Sequence, residues 1–194
     1  MPERFGLFTI IVLGESVARA IRGVAYQQWS ISTAIIAALG LGIAFSIWWI
    51  YFDSIGGMAI KSAIRYRQTS TYQSWLYAHL LLAIGITATG VGLEQVVLRS
   101  QQTALPLSVR WLIYLPFAAC LASLMVIHLT STGEICTRLR GEAGGIYRGI
   151  AAILVIALIG VALMPLALMV ILNAICATLV ILDFYEKERH GAGE

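Results

Sequence analysis

Apolar residues in this chain come in long runs, and short polar stretches separate the runs. Six runs stand out: Phe5 to Gly23, Ser32 to Phe52, Trp75 to Leu98, Leu107 to Leu129, Tyr147 to Met164 and Leu166 to Phe184. Crossing ~30 Å of hydrocarbon takes about 20 largely apolar residues as a helix, and in lipid every backbone polar group must be paired internally. Repeated runs of this length therefore predict spanning helices. Between Gly149 and Leu182 there are 34 residues without a charge, about 51 Å of helix, which is too long for one crossing. Pro165 is the expected breaker. A tight hairpin at Met164 and Pro165 gives two short spans, and the competing arrangement is one crossing plus a re-entrant segment; the hairpin is favoured. The expected fold class is all-α: a polytopic transmembrane helix bundle of about six spans over residues 1–185, followed by a polar tail, 186–194.

Composition sharpens the class. Hydrophobic residues make up 59% of the 194, charged residues 12%, and the mean hydropathy is +0.85, whereas a soluble domain is about a quarter charged. A soluble fold is excluded. The first run carries Glu15, Arg19 and Arg22 in place of a clean apolar core with a cleavage site, so it reads as a span and not as a signal peptide. A net charge of +3, scattered along the chain, gives no nucleic acid a footprint. The three cysteines form neither a disulfide framework nor a CxxC metal site.

With six spans, the amino terminus, the 54–73 loop, the 131–146 loop and the carboxyl terminus share one side. Arg4, Lys61, Arg65, Arg67, Arg138, Arg140, Arg148, Lys187 and Arg189 fall there, nine of the thirteen basic residues. The positive-inside rule then puts both termini in the cytoplasm. Trp48, Trp49, Tyr51, Trp75 and Tyr77 fall at expected inner boundaries, where amphipathic rings sit at headgroup level. In the 54–73 loop, Ile60, Lys61, Ile64 and Arg65 fit a short interfacial helix or an irregular basic loop equally well.

The chemistry-bearing positions are charges at membrane depth. Arg19 and Arg22 follow Glu15 at i+4 and i+7, so all three share one helix face with Ser16 beside it. Arg22 and Arg19 can extend to the outer headgroups, but Glu15 is short and must face protein or water. The third span runs in the same direction as the first and places Glu94 about 28 Å above its inner end, against about 25 Å for Arg22 and 21 Å for Arg19. Glu94 is thus the expected partner of one of them. Glu15, Ser16, Arg19, Arg22 and Glu94 read either as a structural ion-pair set or as a binding site or polar pathway.

A second tier lies near the cytoplasmic end: Asp53, His79 and His128, with Glu134 and Asp183 nearby. His79 and His128, on adjacent spans at similar depth, would suit a proton relay or, as a distant alternative, bis-histidine haem ligation; a hydrogen-bonded structural histidine is commoner, and no cofactor or metal is expected. Small residues, among them Ala83, Thr87, Ala88, Gly90 and Gly92 on the third span, Ala38, Gly42 and Ser46 on the second, and Gly145 with Gly149, predict close helix packing. Pro116 should kink the fourth span, and Asn173 should hydrogen-bond within the bundle. Gly14-Glu15-Ser16-Val17-Ala18 lacks the final glycine of a nucleophile elbow, and no P-loop, HExxH pair or Rossmann fingerprint occurs. No enzyme is expected.

The stretch from Glu3 to Ser16, ERFGLFTIIVLGES, then Trp48-Trp49-Ile50-Tyr51-Phe52-Asp53, then Tyr77-Ala78-His79 leading to Gly92-Leu93-Glu94, resembles the bacterial low temperature requirement protein A family. Three motifs in order make the resemblance specific. It implies a multi-pass protein of the bacterial cytoplasmic membrane linked by name to growth in the cold, and it supplies no chemical role for Glu15, Asp53, His79 or Glu94, which match its recurring polar positions. Members of that family are usually longer, and this chain resembles the carboxyl-terminal half. The expected partners are accordingly the lipid bilayer, a second copy or complementary half-chain, and an unidentified small solute or ion. The function expected is the handling of a small solute, proton or ion across the membrane; its rival is a non-transporting structural or stress-adaptation role.

Overall fold

A computed structural model describes residues 2–27, 30–54, 69–132 and 164–191. They form helices α1 (Pro2–Ala25), α2 (Ile31–Ser54), α3 (Thr69–Val97), α4 (Leu107–Thr132) and α5 (Pro165–Gly191). The first four cover the first four apolar runs. Pro165 opens α5 at the first helical position, where a missing N–H costs nothing. Helix α5 continues to Gly191, so most of the expected polar tail is helical. The expected fifth span, the 54–73 loop apart from its flanking helix ends, Glu134, and the Gly145 and Gly149 pair lie outside the described residues.

Among the described residues three helices are long and apolar enough to cross a membrane, spanning Ile31–Phe52, Tyr72–Val97 and Leu107–Thr130; the apolar part of α5, Pro165–Ile181, is shorter. Helix α1 is as long as α2, but Glu15, Arg19 and Arg22 set it apart from those three. About six spans is therefore more than the described residues show, since three of their helices qualify and most of the expected fifth run lies outside them.

Contacts fix the helix directions. Phe5 meets Trp75 and His79, Ser16 meets Ile86 and Gly23 abuts Val97, so α1 and α3 run parallel. Thr33 bonds Ser100 and Tyr51 meets His79, which makes α2 antiparallel to both. Gly85 faces Cys120 and Gly92 faces Ile113, so α3 and α4 form an antiparallel hairpin. Helix α5 packs on α2, with Gly40 at Met169 and Gly42 at Asn173, and runs parallel to it. Helix α4 therefore ends, and α5 begins, at opposite ends of the bundle. As expected, Asn173 is bonded inside: its Nδ2 donates to Leu39 O and Met169 O, both at 2.9 Å.

Close approach rests on three glycines of α3. A Cβ on Gly90 would stand 2.9 Å from Ser16 Cα, one on Gly85 2.7 Å from Cys120 Sγ, and one on Gly92 2.9 Å from Leu112 O. The last contact has a cause four residues along α4. Pro116 lies inside the helix and has no N–H to give its i−4 carbonyl, which is Leu112 O. That carbonyl faces Gly92, where an added Cβ would crowd it. At the far end, polar groups tie the turns together: Ser30 Oγ caps α2 by accepting from Thr33 N at 3.1 Å, and Gln101 Nε2 donates to Ser30 Oγ at 2.7 Å.

Gly90→Ala and Gly92→Ala, each clashing with backbone, should lower stability by about 1–3 kcal/mol. Gly14→Ala, whose Cβ would meet nothing within 4 Å, should be neutral or stabilising by up to ~1 kcal/mol. Thermal unfolding of the three variants in one detergent checks the contrast.

Candidate functional site

Helix α1 turns a face of small and polar residues inward: Gly6, Thr9, Leu13, Ser16, Ala20 and Gly23 are buried, at alternating three- and four-residue spacing. Ser16 is the pivot. Its hydroxyl donates to Ile86 O at 2.9 Å across the helix interface, with Val12 O at 3.4 Å, and it fills the notch left by Gly90. That contact sets α1 against α3 one turn before Arg19 and Glu94, and so decides what those two charges can reach.

Arg19 lies between two carboxylates. Its Nη1 is 3.6 Å from Glu94 Oε2 on α3, and its Nε is 3.1 Å from Glu15 Oε1 one turn back on α1. The Nε contact is close enough for an ion pair but not aligned for a hydrogen bond. Side-chain exposure is 15% for Glu94, 26% for Arg19 and 45% for Glu15, so the tier grades from protein interior to surface. Depth alone leaves Arg19 and Arg22 open as partners of Glu94; the structure brings Arg19 to it and leaves Arg22 exposed near the end of α1. Two carboxylates share one guanidinium.

The second tier is an enclosed aromatic cluster at the opposite end of α3. His79 Nδ1 lies 2.8 Å from Trp75 O and must donate to it, since a carbonyl only accepts. The His79 ring packs on Trp75 at 4.1 Å, Phe5 at 5.0 Å and Tyr51 at 5.8 Å between centroids. Tyr51 and Trp75 are 0% and 2% exposed, against 66% for Tyr77. Of the aromatic residues expected at headgroup level, then, Tyr77 faces outward while Tyr51 and Trp75 belong to the core. His128 is half-buried on α4, while the ring contacts of His79 are with α1, α2 and its own helix. His79 Nε2 is buried without a hydrogen-bond partner. Asp53 ends α2 and Asp183 lies in α5; their side chains are outside the described residues. No group of three or more His, Cys, Asp or Glu side chains among the described residues could hold a metal ion. Leu13, Leu82 and Ile86, all buried, lie between the two tiers.

A family model of the bacterial low temperature requirement A protein (LtrA) matches residues 1–183. The chain belongs to the LtrA family. No curated protein and no solved structure matches it.

In this LtrA chain the match takes in both tiers. Sequence reasoning misses Tyr51 and Trp75 as site residues because belts and cores draw on the same aromatic types. The signal was present: Ile36, Ile43, Ile47 and Tyr51, and likewise Trp75, His79, Leu82 and Ile86, are buried at three-, four- or seven-residue spacing.

The geometry ranks the ion pairs. In double-mutant cycles of Gln variants, Arg19 and Glu94 should couple by about 1–3 kcal/mol. The more exposed i,i+4 pair of Arg19 with Glu15 should couple by only ~0.5 kcal/mol. Thermal unfolding measures both, and additivity for Arg19 with Glu94 would contradict the placement.

Proposed function

We propose that this LtrA-family membrane protein takes up a proton or small cation at the Glu15, Arg19 and Glu94 tier and passes it across the bacterial cytoplasmic membrane as a carrier, not as an enzyme. The observation that supports this is the uneven charge count. A purely structural pair needs one carboxylate per arginine, whereas here two carboxylates meet one guanidinium, and an excess carboxylate at membrane depth is stabilised by acquiring a positive partner. The graded exposure of the trio gives such a partner an approach through Glu15.

The proposed topology has both termini in the cytoplasm and six crossings, as the charge bias of the loops suggests. Because α4 ends and α5 begins at opposite ends of the bundle, one further crossing between them, and so an even number, is favoured. On this reading the apolar layer of Leu13, Leu82 and Ile86 closes the route between the tiers and must part during transport. That same layer favours the rival reading, in which the trio only holds α1 in the bundle during adaptation to stress. A second copy or a complementary half-chain is proposed to cover part of the apolar face of α1, where Leu7, Ile11 and Ile21 are exposed.

Vesicles reconstituted with the protein and loaded with a pH- or cation-sensitive dye separate the two readings. An imposed proton, Na⁺ or K⁺ gradient should dissipate at least tenfold faster than in empty vesicles. Glu15→Gln should abolish the excess while leaving the melting temperature within a few degrees. Vesicles no leakier than empty ones to all three cations would overturn the carrier reading and favour the structural one.

A further inference from the structure

The aromatic cluster holds three polar atoms that the transport reading does not use. Tyr51 Oη, Trp75 Nε1 and His79 Nε2 are each buried without a hydrogen-bond partner, in side chains that are 0%, 2% and 4% exposed. The cluster is distinct from the charged tier, since His79 precedes Glu94 by fifteen residues, about 22 Å along the helix. Leaving three such atoms unpaired in one apolar neighbourhood is costly, each by the desolvation of its group, and buried polar groups in folded proteins are as a rule satisfied by protein or by ordered water.

The chemistry of the three atoms is specific. Because His79 Nδ1 carries the proton given to Trp75 O, Nε2 presents a lone pair and accepts. Trp75 Nε1 can only donate, and Tyr51 Oη can donate or accept. The Tyr51 hydroxyl is directed toward Thr9 without the geometry of a good hydrogen bond. Thr9 has already given its own proton to Phe5 O at 2.9 Å, so its oxygen has only lone pairs to offer. Carboxylates and metal cations are poor matches, the first because Nε2 repels an acceptor and the second because an N–H faces it.

We propose that Tyr51, Trp75 and His79 form a binding site for one small neutral molecule that both donates and accepts hydrogen bonds, occupied by an ordered water. The water accepts from Trp75 Nε1–H, donates to His79 Nε2 and pairs with Tyr51 Oη, a coordination of three that is typical of buried water. Phe5 closes the site, with its ring 4.9 Å from Trp75 and 5.0 Å from His79.

Radiolytic hydroxyl-radical labelling in H₂¹⁸O, read by mass spectrometry on the detergent-solubilised full chain, tests this, since radicals formed on a bound water oxidise the side chains touching it. After correction for intrinsic reactivity, Tyr51 and Trp75 should label at least tenfold faster than Phe117, which is equally buried at 0% exposed and has no polar atom. Tyr51→Phe removes one of the three partners and should cut Trp75 labelling severalfold while the melting curve stays cooperative. Labelling of Tyr51 and Trp75 at the Phe117 rate would overturn the proposal. So would Trp75 labelling that is unchanged in Tyr51→Phe. If that variant does not fold, Trp75→Phe read at Tyr51 makes the same comparison.

Discussion

The packing of α1 in this bundle turns on one guanidinium. Two carboxylates, one from its own helix and one from α3, come within 3.1 and 3.6 Å of Arg19. The cross-helix contact ties the rotation of α1 to that of α3. Once that rotation is set, Ser16 falls on Gly90 and Phe5 falls on His79. The helix that is unlike the apolar spans is thus the one whose neighbours must be chosen most specifically. In lipid, where apolar surface gains nothing by leaving its solvent, such polar contacts and tight backbone packing are what hold helices together.

Helix α3 is built to serve two partners at once. Gly90 admits α1, while Gly85 and Gly92, two turns apart, admit α4. The carbonyl that Pro116 frees on α4 is covered by Gly92, so a helix irregularity on one side is compensated by a missing side chain on the other. The ends of the bundle differ in kind. One is stitched by serine, threonine and glutamine side chains between the two turns, and the other is filled with rings whose polar atoms point inward.

The sequence made α1 to α4 legible to within a few residues because hydrocarbon thickness and the rise of a helix leave little freedom in length. Depth along a parallel helix pair is also legible, which is why Glu94 could be matched to the level of Arg19 and Arg22 from counting alone. Rotation about the helix axis is not, and it is rotation that separates Arg19, which faces α3, from the exposed Arg22. Tyr51 and Trp75 were hidden for a related reason: a ring at the end of a span satisfies a headgroup or a core equally well, and only its angular position tells which. His79 and His128 share a depth, but His79 turns its ring to α1 and α2. Membership of the LtrA family agrees with the motifs in the sequence, while the chemistry of the two tiers had to come from coordinates.

The Arg19–Glu94 contact orients α1 in the bundle, and a charge swap tests this: Arg19→Glu, Glu94→Arg and the two together, each followed by thermal unfolding in the same detergent. The swapped pair keeps the total charge, at the small cost of a like-charge pair between Glu15 and the glutamate introduced at 19. If the contact governs the packing, each single variant melts well below the parent and the double variant recovers most of the loss. A double variant that melts at or below the weaker single one would show that α1 is held by other means.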